Sequence, residues 1–478
     1  MNRLLLPTLL AAATLAGCAT PAAGPLPARP AVAADTGTWQ APLPHGGRAT
    51  ELAAWWRGFD APVLAELVEA AQAASPSLSA ARARIERTRA ALAAREAAAL
   101  PRLDAAASAQ RARNLPDTPA ATSAAMGAQA AWEIDLFGGV AAAQRAGVQR
   151  LRGAEADCHD ARVSLAADVA TAYVNLRGCE AQLAQARADA ASREVTARLT
   201  DQSAAAGFTA PADAALARAG AAQARSQARA QQAQCDTLVK GLVELTDGPE
   251  PALRQRLAAR TATLPQAAGV SGIALPAQLL QQRPDLAAAS AAVMAAAADV
   301  AAARADELPR VSLAGSLQLA TLRSAGVSSS GNVWSIGPLQ LSLPLFDRGS
   351  RRAATAAERA AYDDAVVQLQ AATRRALREV ETALVSLDDT AARERDVLAA
   401  ATDFEASLTA TEARQRGGLA SLLDLEAARR NAVQARSTLI ELQRERAAAW
   451  IALYRSLGGG WQAADAVPSA RAPQTPKT

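Results

Sequence analysis

The chain repeats itself at a spacing of about 210 residues, and this constrains the fold more than any single motif. Pro76-Ser77-Leu78-Ser79-Ala80-Ala81 returns 208 positions later as Pro284-Asp285-Leu286-Ala287-Ala288-Ala289. Pro101 returns at the same offset as Pro309, and Leu136-Phe137-Gly138-Gly139 returns as Leu345-Phe346-Asp347-Arg348-Gly349. Gly207 with Asp213 returns as Gly418 with Asp424, at an offset of 211. Four anchors in one order identify a tandem duplication, so one structural plan has to serve both halves.

That plan opens with a helix, expected from about 62 to 100 and ended by Pro101, because the residue before a proline is pushed out of helical geometry. Leu103, Ala105, Ala107 and Ala109 then alternate with polar residues, as do Met126, Ala128, Ala130, Trp132, Ile134 and Leu136. A period of two over this length predicts a pair of strands. The second half repeats it with Val311, Leu313, Leu317 and Leu319, then Leu339, Leu341, Leu343 and Leu345, separated by a Ser- and Gly-rich loop expected around 328–332. No proline interrupts 139–206 or 351–416, and a helix of that length is about 100 Å long. Short turns at 207–211 and 417–421 reverse the chain into return helices ending near Thr246 and Leu457. With 133 alanines among 478 residues and only 3% aromatics, these helices must pack closely through small side chains, as antiparallel coiled coils.

Strands of about ten residues with one apolar and one polar face suit a transmembrane barrel whose outside is apolar and whose lumen is wet. The alternative on pattern alone is a soluble sheet packed on the helices. In lipid, four strands cannot close, and an open edge leaves unpaired backbone groups costing several kcal/mol each. The chain must then oligomerise, and counting strands does not choose between a dimer of eight and a trimer of twelve. The expected fold class is mainly α with a small transmembrane β part.

Met1 to Gly17 has Arg3 followed by the apolar run Leu4 to Ala16, a secretory layout too short to span a membrane. It ends in Leu15-Ala16-Gly17-Cys18, which resembles a bacterial lipobox with Cys18 as the lipid attachment site. Ala19 in place of aspartate favours, by the same resemblance, sorting to the outer membrane. The expected division is a signal segment over 1–17, a lipidated Pro/Ala-rich tether over 18–50, a first repeat over 51–248, a linker over 249–275, a second repeat over 276–461 and a disordered tail over 462–478. Cys158 and Cys179 are too far apart on one helix to bridge. Cys179 and Cys235 could lie level on antiparallel helices, but buried free thiols are the expectation. His159 next to Cys158 makes neither a metal pair nor a catalytic pair.

Fifty basic and 46 acidic residues nearly balance at a net charge of +4. No basic stripe suggests nucleic acid. Two histidines and four cysteines offer little for metal or nucleophilic chemistry, and no Gly-rich phosphate fingerprint appears, so no enzyme and no cofactor is expected. Three methionines do not support a soft-metal relay.

Several segments together resemble the TolC-type outer membrane factor family. They are Trp55-Trp56-Arg57-Gly58-Phe59-Asp60-Ala61-Pro62-Val63-Leu64, Trp132-Glu133-Ile134-Asp135-Leu136-Phe137-Gly138, Arg283-Pro284-Asp285-Leu286, Leu343-Pro344-Leu345-Phe346, Glu379-Val380-Glu381 and Leu453-Tyr454-Arg455-Ser456-Leu457-Gly458-Gly459-Gly460-Trp461. The lipobox places the chain nearest the lipoprotein branch, the NodT-like and OprM-like channels. The resemblance implies a homotrimer with a twelve-stranded barrel in the outer membrane, lipid-anchored, and a trimeric helical barrel in the periplasm. Its implied partners are a periplasmic adaptor and an inner-membrane pump of the resistance-nodulation-division type. It also implies a gate at the two helical turns. Asp213 matches a position that pairs across the closed tip, Leu423 and Asp424 match the constriction, and Arg430 matches a basic partner. Relatives often carry a second acid where this chain has Ala427, and an aromatic residue before the proline that opens the third strand, where it has Leu308. The bland reading of Asp424 is a helix cap, since Ser421 and Asp424 have capping-box spacing. A passive efflux duct is the expected function, and an elongated structural or adhesive lipoprotein is the alternative.

Overall fold

The computed structural model describes residues 56, 59, 62–113, 119–266 and 282–460. The signal segment, the tether with Cys18, and the tail expected over 462–478 lie outside them.

The first repeat runs α1 (Pro62–Ala74), α2 (Pro76–Ala98), β1 (Arg102–Ala112), β2 (Ala121–Ile134), α3 (Gly139–Ala205) and α4 (Pro211–Thr246). The second runs α6 (Pro284–Ala305), β3 (Arg310–Ser324), β4 (Val327–Ser342), α7 (Ser350–Arg416) and α8 (Leu422–Ser456). Between them, part of the stretch expected as linker is helical, α5 (Glu250–Leu257) followed by a 3-10 turn (Ala258–Arg260).

The opening helix is broken in two, where one continuous helix was expected. Pro76 displaces Ser75 from helical geometry, and the Ser75 hydroxyl accepts from the Leu78 N–H at 3.3 Å to start α2. The loop expected at 328–332 is strand, paired with 319–323. The reversal is made instead by Ala325 and Gly326, both at positive φ (50° and 80°), the short turn that suits a twisted hairpin.

Contacts divide the chain into two units. In the first, residues 85–153 and 289–370, the strands form one antiparallel sheet in the order β1-β2-β3-β4. Beside it α6, apolar enough in composition to cross a bilayer, packs Val293, Ala297 and Val300 against Tyr362 and Leu369 of α7.

In the second unit, described over 154–266, 371–460 and the parts of 34–84 and 282–288 given above, lies the larger core. Leu64 and Leu67 of α1, Tyr173 and Leu176 of α3, Leu242 of α4, Leu384 of α7 and Ile451 of α8 are all buried in it. Trp56 packs against Tyr454 with ring centroids 4.5 Å apart and the planes tilted by 56°.

Cys179 and Cys235 are joined in a disulfide, with Cα atoms 5.6 Å apart, which corrects the expectation of free thiols. An outgoing and a returning helix bring residues 56 apart level and face to face, within bridging distance. Cys158 is free and buried.

Candidate functional site

The two helical reversals have one geometry. At the first, the Gly207 N–H bonds to Ala204 O (3.0 Å) and the Phe208 N–H to Ser203 O (2.9 Å). At the second, the Gly418 N–H bonds to Gln415 O (3.0 Å) and the Leu419 N–H to Arg414 O (2.8 Å). Gly207 and Gly418 sit at φ 80° and 73°, where a side chain would be strained. Both turns leave a large apolar residue in solvent, Phe208 at 87% and Leu419 at 74% exposure.

Around these turns the chain does not bring the four expected gate residues together. Asp213 lies in the first turn of α4, half-buried, with no side-chain cap bond. Leu423 is 65% exposed, and Arg430 points to solvent. Asp424 completes a capping box at the start of α8. Its Oδ2 accepts from the Ser421 hydroxyl (2.7 Å) and the Ser421 N–H (2.9 Å), while its own N–H donates to Ser421 Oγ (3.1 Å). These bonds, the hydroxyl first, hold the Asp424 carboxyl below the ordinary carboxylate range.

A polar cluster absent from the sequence expectations lies next to these residues. Arg429 is 3% exposed and donates to Glu426 (2.8 Å), Ser192 (3.0 Å) and Thr196 (3.4 Å), with Glu412 at 3.5 Å. Arg193 bridges Glu426 and Asp189, the latter at 2.9 Å. The cluster therefore ties α3 to α7 and α8. Its sequence signal was the pair of helical spacings Asp189 to Arg193 and Glu426 to Arg429 on otherwise alanine-rich helices.

The sheet separates its chemistry by face. Register places Ala107, Met126, Leu319 and Asn332 in one cross-strand row, with Ala105, Ala128, Leu317 and Trp334 in the next row on the same face. Ser108, Gln129, Ser316 and Gln318 alternate onto the other face, where Ser316 bonds Ser335 at 2.9 Å. In β4 the apolar residues change parity, even at Trp334 and Ile336 but odd at Leu339 and Leu341. Two steps of β3, Leu313 to Gly315, are matched by three of β4, Ile336 to Leu339. That bulge returns Leu339 and Leu341 to the apolar face.

An amphipathic sheet with two free edges, joined to helical hairpins 67 residues on the outward leg, is the plan on which the comparisons decide. Residues 67–247 and 275–459 match the outer membrane efflux protein family. The chain belongs to this family. It is 31% identical over 331 residues to the outer membrane protein OprJ of Pseudomonas aeruginosa, covering 69% of this chain and 68% of OprJ. It is 27% identical over 432 residues to the pyoverdine export outer membrane protein OpmQ of the same species, covering 87% and 89%. Among solved structures, the outer-membrane channel OprN superposes with a TM-score of 0.81 at 30% identity, over 89% of this chain and 97% of that one. The CmeC outer membrane channel of Campylobacter jejuni shares the fold at a TM-score of 0.78. Family membership makes the protein an outer membrane efflux channel that extends into the periplasm.

Proposed function

We propose that three copies of the chain form one passive, water-filled duct through which an energised pump expels small molecules. The observation that carries this reading is the sheet: four strands, one apolar face, and unpaired edges at β1 and β4. Edges in lipid must be paired by further copies. Eight strands give an interior filled by side chains and twelve a wider one, so a water-filled duct favours the trimer over the dimer. The four strands of one chain supply an apolar outer wall and a polar lumen to such a barrel.

A periplasmic adaptor and an inner-membrane pump of the resistance-nodulation-division type are the proposed partners, with Phe208 and Leu419 offering apolar contacts at the turns. Cys18 carries the lipid anchor, which the mass of the mature N-terminus checks. Asp213, Leu423, Asp424 and Arg430 form the gate around the threefold axis, completed only between protomers. The test is the protein purified from outer membranes. A heat-modifiable trimer band and single-channel conductance in a planar bilayer are expected, while a monomeric or nonconducting protein overturns the duct.

A further inference from the structure

The arginines of the sheet are distributed unequally. Near the helices, Arg102 and Arg310 lie on the polar face and pair at 2.7 Å with Asp104 and Asp306. At the opposite end, Arg111 and Arg323 lie on the apolar face. Register aligns Arg111, Thr122, Arg323 and Ser328 in one cross-strand row, all exposed. Asp104 and Glu133 are the only acids in the four strands, and both belong to the polar face. No carboxylate of the sheet therefore answers these two guanidiniums, and neither edge strand could bring one from a neighbouring copy to this face.

Their height is informative. Five rows, from Ala107-Met126-Leu319 down to Ile134-Val311-Leu341, make up the apolar band. At about 6.8 Å per pair of residues and a tilt of about 40°, they span about 21 Å, close to the apolar band of an outer-membrane barrel. The arginine row stands two rows, or about 10 Å, beyond that band, at the depth of headgroups. Arg111 and Arg323 are two strands apart, about 9.6 Å at the backbone, so both side chains can converge on one anion above Thr122. Below that row, Ala107, Ala109 and Ala124 floor a groove walled by Met126, Leu319 and Thr321. Basic residues over an apolar groove suit a ligand with phosphate at one end and acyl chain at the other.

We propose that Arg111, Thr122 and Arg323 bind the phosphate of an outer-leaflet glycolipid of the lipid A type, with an acyl chain lying in the alanine-floored groove beneath, one site per protomer. This rests on the barrel reading above, which turns the apolar face to lipid. Paired guanidiniums match a phosphate by charge and by forked geometry.

The test is native mass spectrometry of delipidated trimer incubated with bisphosphorylated lipid A, its dephosphorylated form, phosphatidylglycerol or inorganic phosphate. Wild type should retain up to one bisphosphorylated lipid A per protomer. Arg111→Ser combined with Arg323→Ser should lower retention about tenfold or more. Ala109→Trp, which fills the groove and keeps both charges, should also lower it, and Arg102→Ser on the polar face should not. The site is overturned if dephosphorylated lipid A or phosphatidylglycerol is retained equally, if inorganic phosphate displaces the lipid fully, or if the double variant retains as much as wild type. Planar-bilayer conductance separates the two readings. A wild-type protein that does not conduct overturns the duct, whereas a conducting double variant with undiminished retention overturns only the lipid site.

Discussion

Asp424 and Ser421 satisfy one another at the start of α8, and this accounts for the Asp424 carboxylate within one chain without any gate. Because its folded pKa is depressed, the cap contributes fully above the ordinary carboxylate value of about 4 and is lost as pH falls through the lower folded value. Asp424→Asn should therefore speed amide exchange at Leu425 and its neighbours at neutral pH, while wild type should lose this protection only in acid. Hydrogen exchange with mass spectrometry checks it, and equal protection in both proteins at neutral pH would remove the cap from the account. The cap was legible in the sequence as a three-residue spacing. The buried role of Arg429 was not, because two adjacent arginines look alike until helical phase turns one into the α3 contact and the other, Arg430, into solvent.

At the scale of elements, the sheet's two faces set the strongest expectation. Arginine at Leu317 or Leu341 should cost about 2 to 4 kcal/mol near the bilayer midplane and lower trimer yield, whereas arginine at Gln318 should be tolerated. Equal trimer yields on gel analysis of outer membranes would reverse the assignment of inside and outside. The strands of the first repeat were readable because their alternation is unbroken from Leu103 and from Met126. Only part of β4 is legible in the sequence, since the bulge after Ile336 divides its apolar residues between even and odd positions and no local pattern signals the change. The disulfide is not legible in the sequence for another reason. Spacing brought Cys179 and Cys235 level, but whether they bridge depends on which way each side chain faces. Closing 56 residues, that bridge removes about 4 kcal/mol of chain entropy from the unfolded state. Both hairpins also carry ion pairs between their legs, such as Arg225–Glu194 in the first and Arg446–Glu394 in the second, partly exposed and individually weak.

For the whole assembly, the threefold symmetry of the proposed trimer alters what the turn residues can do. Asp213 and Arg430, unlinked to each other within the chain, become candidates for pairing between protomers, and Asp424 becomes a ring of three carboxylates around the axis. Such a ring attracts cations and repels itself unless hydrated or bonded, and the Ser421 bonds supply part of that relief. In the proposed trimer Asp424 supplies one such ring at the tip, since Ala427 at the next turn position carries no acid. The expected pore is mostly closed and weakly cation-selective. Asp213→Ala or Arg430→Ala should raise open probability by loosening the closed tip, and Asp424→Ala should chiefly reduce cation preference. Ser421→Ala separates ring from cap, because it removes the capping hydroxyl and leaves all three carboxylates in place. If the ring selects ions, this variant keeps cation preference although its helix start frays. Planar-bilayer recordings under a salt gradient decide the matter. If Asp424→Ala and Ser421→Ala change reversal potential equally, Asp424 is a cap alone, and if neither Asp213→Ala nor Arg430→Ala changes open probability, the constriction lies elsewhere along the duct.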